Sequence, residues 1–422
     1  MVQPGLDHFG EVAVKGQNEA MPQQLTGFPQ LVARYADRMH SVLGSGHHVA
    51  SPLGAWLVLA LAAPAASGPV RNALEELLGE PADAAAARAG QLLEQPHPAV
   101  AAAAALWTRA DQRTPAVRAW ESALSPAVER GAVPSQEGAD QWAADRTGGL
   151  IERFPVGVDA DTLLVLASAL ATDVSWQVPF TTVAGASLGT AWAERVTTAL
   201  RAPAAHECLI TSTPEAGDVA VHVAQSADDE PLAVVSVIAA PDVPAPTVLH
   251  TAHRIATEHA DRPTTRRSLF DLPLGAGHAW TITEEPARTL ARSGREEWCT
   301  ATLPAWEARS THDLMRDPRT GFADAAAALL PLLPPQPDGV EVEAVQSAMA
   351  AYSRTGFRAA AVTALGMRAM GLPPEPRPGV RRTADLRFGR PYAVVAVVDG
   401  GRGPWHGVPV FSAWVAEPSD AG

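Results

Sequence analysis

The sequence predicts a large globular fold that combines helices with buried strands. A helical stripe of apolar residues runs through residues 28–43. Two valine-rich stretches, residues 232–238 and 393–399, have the composition of buried strands. The chain has 422 residues, of which 47% are hydrophobic, so it is long enough to bury a large core in one or two domains.

Charge and composition argue against several classes of partner. The formal net charge is −14, so we expect no DNA or RNA partner. The two cysteines, Cys208 and Cys299, are not in a CxxC arrangement, and whether they pair stays open. The N-terminal stretch lacks the features of a signal peptide, and the most apolar run, residues 55–66, is too short to span a bilayer. We therefore expect a soluble, cytoplasmic protein without a membrane partner.

The first half of the chain predicts several elements in order. Residues 1–27 are expected to form a flexible arm. Ser51 before Pro52 suits the start of a helix, and the apolar run that follows predicts that this helix is buried. Further elements are a helix ending at Gly79, a strand at residues 103–107 and helices around residues 117–124 and Trp142.

Two later stretches lead to specific expectations. Residues 162–171 form a continuous apolar run, which predicts a strand buried on both faces. His250, His253 and His259 fall on a predicted helix, and the first two share a face. No carboxylate or cysteine completes a metal-binding spacing, so we predict a solvated face and no metal.

The stretch from residue 352 to residue 378 has two interpretations. Helix propensity favours a helix over residues 358–370. Alternatively, the run of small residues could slide between two strands of a sheet, and the prolines after it would force an extended exit. On the second interpretation the segment is an exposed, mobile loop that can become a strand.

The motifs of this chain resemble those of the serpins over residues 28–418. In the hinge, Gly356, the alanine run 359–361 and Thr363 match that family's pattern, whereas Phe357 and Arg358 replace a small and an acidic residue. Other matches stand in the family's order and spacing: Ser51-Pro52, Trp142 with Thr147, Gly149 and Ile151, Trp176 with Pro179 and Phe180, Leu303-Pro304 with Trp306, Asp313 and Leu314, and Pro409 with Phe411, Val415 and Pro418.

The resemblance implies an α+β serpin fold. That fold has a large central, mostly antiparallel sheet, two smaller sheets, packed helices and an exposed reactive loop, here about residues 353–378. It would form a single domain over residues 28–418, followed by a tail at 419–422. The strand leading to the loop would be residues 345–352. The region where the sheet opens would contain five residues: Ser51, Gly54, Ser168, Trp176 and Gln346.

The resemblance also implies a function. Serpins inhibit serine proteases as suicide substrates: the reactive loop is cleaved and inserts into the central sheet. The usual loop length places the scissile bond at Met370-Gly371, which favours a chymotrypsin-, elastase- or subtilisin-like protease, while Arg368 offers a trypsin-like alternative. The hinge that inserts would comprise eight residues: Gly356, Phe357, Arg358, Ala359, Ala360, Ala361, Val362 and Thr363.

Two further interpretations accompany that function. Phe357 is much larger than the family's residue and should slow insertion, so a non-inhibitory binding or scaffold protein is the alternative. Five arginines beyond the bait bond are expected to lie in a solvated loop, with an exosite for an acidic partner as the second interpretation: Arg377, Arg381, Arg382, Arg387 and Arg390. No catalytic motif is found, so we expect a protein that is not an enzyme and needs no cofactor. We also expect it to be a monomer.

Overall fold

The computed structural model describes residues 27–189, 191–229, 231–262, 264–336, 339–357 and 377–421. The described α-helices are α1 Phe28–Leu43, α2 Pro52–Ala62, α3 Gly68–Leu78, α4 Ala82–Glu94, α5 Pro115–Ala123, α6 Gln136–Arg146, α7 Ala245–His259 and α8 Phe322–Leu329. The predicted arm at residues 1–26 lies outside the described residues. In the part of the chain described here, no helix combines the length and the apolar character needed to cross a bilayer.

The helices follow the local sequence closely. The apolar stripe of α1 buries Leu31, Tyr35 and Met39. The Ser51 side chain caps α2 by accepting a hydrogen bond from the backbone N–H of Gly54. Because α2 is apolar on all sides, it is buried almost completely and runs through the main core.

The described strands form four hydrogen-bonded sheets, and the two smaller ones are treated below together as a third, central sheet. The strands are β1 His48–Ala50, β2 Ala101–Thr108, β3 Glu129–Gly131, β4 Leu164–Ala171, β5 Val174–Ser175, β6 Thr181–Ala184, β7 Thr198–Arg201, β8 Glu207–Thr213, β9 Gly217–Gln225, β10 Leu232–Ile238, β11 Gly275–Ala276, β12 Trp280–Thr289, β13 Arg295–Leu303, β14 Trp306–Asp313, β15 Val345–Tyr352, β16 Gly356–Phe357, β17 Arg377–Arg387, β18 Tyr392–Val398 and β19 Pro409–Val415.

The first sheet is antiparallel, with strand order β1-β19-β18-β10-β9-β8. Its central strands, β10 and β18, are buried along their whole length, as their valine-rich sequences predict. One face packs against α7 and the other against the main core around α2. The sheet therefore needs apolar residues on both faces, which explains the continuous runs.

The second sheet has the order β11-β12-β17-β13-β7-β6. Its centre is the long strand β17, which pairs antiparallel with β12 and parallel with β13. Four of the five arginines predicted to lie in a solvated loop are in this central strand, so the predicted loop is wrong, while the exosite interpretation stays a prediction. Three of them form ion pairs within the sheet: Arg381 with Glu285 and Glu296, Arg382 with Glu284, and Arg387 with Asp385.

The third sheet, called the central sheet below, consists of two parts. One has the order β14-β15-β16-β5 and the other β3-β2-β4. They are joined by the chain itself, since β5 follows β4 after two residues. Helix α6 covers the outer face of β2 and β4, and α2 lies behind them. β4 is thus covered on both faces as predicted, but its residues facing α2 are only half-buried.

Two local expectations are corrected by the structure. The motif around Leu303-Pro304, which in the serpins is a single strand by the resemblance, spans two strands in different sheets here, because Pro304 lies where the chain passes from β13 to β14. The expected solvated histidine face of α7 is also wrong, since His253 is fully buried and the side chain of His259 is nearly so.

Candidate functional site: the cleft in the central sheet

A cleft separates β4 from β15 in the central sheet. The two strands run in the same direction, because β16 is antiparallel to both β15 and β5, which continues β4. Within the described residues, β4 and β15 form no ladder with each other. The cleft between them has a volume of about 800 Å³. Its lining combines apolar and polar surface, and its apolar residues include Leu164, Leu166, Leu170, Ala348, Met349 and Phe322.

The strand edges along this cleft are equipped to bind another strand. β4 pairs over eight residues with β2 on its far side, and β15 pairs over eight residues with β14. In each strand, about half of the backbone N–H and C=O groups point to the opposite edge, which here borders the cleft. Such an edge is a template for an additional strand.

Four of the predicted sheet-opening residues meet at the first turn of α2. The Ser168 hydroxyl of β4 donates to the carbonyl of Gly54 over 2.8 Å. The Gln346 amide of β15 donates to the carbonyl of Ser51 over 2.8 Å and accepts from its backbone N–H over 3.0 Å. Each strand is therefore held to α2, and no hydrogen bond among the described residues joins Ser168 to Gln346.

Gly54 lies at the closest approach of α2 to β4. A Cβ atom at this position would lie 3.2 Å from both the Leu170 Cδ1 atom and the Ser51 Oγ atom. This distance is tighter than ordinary van der Waals contact, so the absence of a side chain lets β4 pack directly on the helix.

The start of the predicted reactive loop is part of the central sheet. Gly356 and Phe357 form β16, in which Phe357 lies opposite Tyr352 on one side and Val174 on the other. The preceding turn is fixed by Trp176, whose backbone N–H donates to the Thr355 carbonyl over 3.0 Å. Its indole N–H also donates to the Ser353 carbonyl over 2.9 Å. The loop was expected to be exposed from residue 353, so this is a correction.

Phe357 is buried in an aromatic cluster, defined as Trp176, Phe180, Trp306, Tyr352 and Phe357. Only 4% of its surface is exposed, and its ring centroid lies 6.3 Å from that of Trp306. Trp306 stacks on Tyr352, and Tyr352 contacts Trp176 at 5.0 Å. Phe357 was predicted to impede insertion, yet the sheet accommodates it. Trp176, the fifth predicted sheet-opening residue, belongs to this cluster rather than to the four residues that meet at the first turn of α2.

A histidine cluster, defined as His40, His48, His253 and His312, lies beside the first turn of α2. The Nδ1 atom of His40 is 3.1 Å from the Nε2 atom of His48, and the His312 ring nitrogen is 2.8 Å from the carbonyl of Val49. Burial lowers the pKa of His48 to about 4 and that of His253 to about 3. Burial also lowers the pKa of His40 and that of His312. These residues come from four separate elements, so the sequence carried no signal of the cluster.

Several predicted residues lie outside the described residues. They comprise the scissile bond Met370-Gly371 and the rest of the hinge, Arg358 to Thr363. The two cysteines, Cys208 and Cys299, are free, and burial raises the pKa of Cys208 to about 12. Within the described ranges, no group of three histidine, cysteine or acidic residues is arranged to hold a metal ion.

The sequence matches no family model and no curated protein, but the fold is similar to that of solved serpin structures. The thermophilic serpin tengpin in its native state matches with a TM-score of 0.61 at 14% identity, over 92% of this chain and 93% of tengpin. Serpin48 from the insect Tenebrio molitor has a TM-score of 0.57 at 14% identity, over 93% and 98% of the two chains. Thyroxine-binding globulin in complex with thyroxine has a TM-score of 0.59 at 12% identity, over 92% and 98%.

Proposed function

We propose that this chain, which has the serpin fold, inhibits serine endopeptidases as a suicide substrate. The protease serine would attack the carbonyl of Met370, and the Met370-Gly371 amide bond would break as the acyl ester forms. The protease histidine would pass the serine's proton to the leaving amine of Gly371. The freed loop would then insert into the central sheet with the protease still attached. We expect a monomer that engages one protease molecule.

The observation that carries this proposal is the cleft, together with the direction of β16. β16 runs antiparallel to both strands that border the cleft, so the chain after Phe357 is aimed between them. Continuing its two ladders residue by residue would set Ala361 opposite Ala348 and Leu170. Thr363 would then lie opposite Gln346 and Ser168, level with the first turn of α2.

The lengths and energies of the parts agree with insertion. The bordering strands are eight residues long, and thirteen residues run from Arg358 to Met370. An inserted strand of eight residues can form up to about sixteen backbone hydrogen bonds, each with a net value of about 1 kcal/mol. Insertion would therefore release on the order of 10 kcal/mol, enough to make the uncleaved fold metastable.

A second candidate is a non-inhibitory binding protein whose loop is only cleaved. Two observations favour it. Phe357 is anchored in the aromatic cluster, which would hold the hinge still, and a charged residue, Arg358, follows it. One structural neighbour, thyroxine-binding globulin, was solved with thyroxine bound. On this reading, cleavage would leave the protease free.

Incubation with chymotrypsin and subtilisin separates the two candidates. Inhibition by trapping should give a covalent complex that survives SDS electrophoresis, at a mass near the sum of the two proteins. A protease whose catalytic serine is replaced by alanine is the control, because it can form no acyl ester. Complete loop cleavage by each active protease with no complex would favour the binding protein.

A further inference from the structure

The second sheet extends a ribbon of three strands, β12, β17 and β13, toward the reactive loop. Its tip is the turn at residues 290–294 together with Arg377, which lies opposite Thr289. β17 begins at Arg377, directly after the loop, so the chain enters the ribbon at this tip. The ribbon therefore starts where the proposed bait segment ends.

One face of the ribbon presents an exposed tryptophan on a fixed support. Trp298 of β13 is 54% exposed. The Arg381 guanidinium lies over its ring at 4.0 Å from the centroid, a cation–π contact. Arg381 is itself held by Glu296, at 2.9 Å, and by Glu285, at 3.5 Å. Trp298, Arg381, Glu285 and Glu296 are called the Trp298 platform.

The platform has the composition of an interaction surface. Single exposed apolar residues are common and need no explanation. Here, however, a large aromatic side chain is held by an arginine with both neighbouring carboxylates engaged, so little side-chain freedom remains to be lost on binding. Tryptophan and arginine are also the residue types that dominate binding energy at protein interfaces. Leu290 at the tip is exposed to a similar extent, 55%.

The short distance between the bait bond and the ribbon indicates which partner would bind the platform, namely a protein held at the loop. Six residues lie between Met370 and Arg377, so the seven Cα–Cα steps that join them span at most about 25 Å. A globular protease of about 230 residues has a radius of gyration of about 17 Å, hence a diameter of about 45 Å. A protease bound at Met370-Gly371 would therefore extend over the ribbon and contact it.

We infer that the Trp298 platform is a docking surface for the serine protease that cleaves the reactive loop. This inference rests on the proposed function. The protease surface that fits is apolar at its centre, to cover the indole ring, with polar groups around it for the two carboxylates. The platform contributes to recognition before the bond is cut, so it sets the rate of association and leaves the fate of the acyl-enzyme unchanged.

The test compares Trp298→Thr with Leu274→Ala, an exposed apolar control outside the platform at 52% exposure. Threonine suits an exposed strand position, so the fold should persist, as checked by the thermal midpoint. The second-order rate constant for complex formation with chymotrypsin or subtilisin should fall about tenfold for Trp298→Thr and stay constant for Leu274→Ala. The number of inhibitor molecules consumed per trapped protease should stay constant for both. An unchanged rate constant for Trp298→Thr would overturn the inference.

The inference stays testable if no covalent complex forms and the proposed function fails. The dissociation constant is then measured with the serine-to-alanine protease, and Trp298→Thr should weaken this non-covalent complex about tenfold. Equal affinities would overturn the docking surface. Light scattering addresses the other occupant: a wild-type dimer that becomes monomeric on Trp298→Thr would assign the platform to a second copy of this chain and overturn the inference.

Discussion

At the scale of single residues, Phe357 holds the start of the predicted hinge in the central sheet. A small residue at this position would add only backbone pairing to the sheet, whereas the phenylalanine ring fills a site against Trp306. Burying a phenylalanine side chain contributes about 1.5–3 kcal/mol. The ring therefore opposes withdrawal of Gly356 and Phe357 from the sheet. The bulky residue acts as an anchor in the uncleaved protein, and its effect on the rate of insertion stays a prediction.

Phe357→Ala should release the hinge turn. The backbone N–H groups of Trp176 and Phe180 donate to the carbonyls of Thr355 and Arg354, so their exchange with solvent reports on the turn. We expect their hydrogen exchange to accelerate at least tenfold. Phe270→Ala, which removes a half-buried ring packed beside the arginines of the second sheet, is the control and should leave both amides protected. Equal protection in the two variants would show that the ring is not the anchor.

The histidine cluster predicts a loss of stability in mild acid. The pKa values of its members are lowered in the folded protein, so below about pH 6.5 the unfolded chain binds more protons. The free energy of unfolding should therefore fall as the pH drops from 7.5 toward 5, a range still above the folded pKa values of His48 and His253. Each fully depressed histidine contributes about 2 kcal/mol to this loss.

Urea unfolding of a His253→Leu variant checks this sign and size. Neither ring nitrogen of His253 has a hydrogen-bond partner in the described structure, so the variant should be at least as stable at pH 7.5. The groups nearest to it are His40 and the pair of His250 with Asp37. The drop in unfolding free energy between pH 7.5 and 5 should be about 2 kcal/mol smaller than in the wild type. An identical drop would mean that the pKa of His253 is the same in the folded and the unfolded protein.

At the scale of elements, strands with strong apolar patterns could be predicted from the residues themselves, whereas the sheet-opening region was predicted only through the family resemblance. Residues 232–238 and 345–352 are strands with the predicted bounds, since pattern or resemblance identified each run. The cleft depends on Ser168 and Gln346 each binding α2, and residues more than 170 positions apart leave no local signal. The strand β17 was not predicted, because its arginines are typical of a solvated loop when the sequence is considered alone. The carboxylates that neutralise Arg381 and Arg382 lie on neighbouring strands.

Side chains alternate between the two faces of a strand, so insertion into the cleft makes opposite predictions for two adjacent residues, Ala360 and Ala361. Continued from β16, an inserted Ala361 would face α2, beside Leu170, whereas Ala360 would face away from the helix. Ala361→Arg should block insertion, because a buried guanidinium without a partner is costly. It should convert an inhibitor into a substrate that is cut without forming a complex. Ala360→Arg is the matched control and should still trap protease, because its long side chain can reach solvent. Equal trapping by both variants would contradict insertion in this register.

At the scale of the whole molecule, the central sheet is incomplete while the rest of the core is closely packed. The first sheet is buried on both faces, and α2 is surrounded by apolar residues. In contrast, β4 and β15, which border the cleft, form no ladder with each other in the described part of the chain. On the proposed function, a strand inserted between them would stabilise the whole fold.

Loop cleavage should consequently raise the thermal midpoint of the entire protein. Insertion worth on the order of 10 kcal/mol corresponds to an increase of about 12 °C, since an unfolding entropy of about 2.1 cal/mol/K per residue over residues 28–418 means that 1 kcal/mol shifts the midpoint by about 1.2 °C. Differential scanning calorimetry of the wild type, before and after limited cleavage, measures the shift. Ala361→Arg, cleaved at the same bond, serves as the control and should retain the midpoint of its intact form. If cleavage leaves the wild-type midpoint unchanged, the cleft does not take up the loop, and the sheet is stable as it stands.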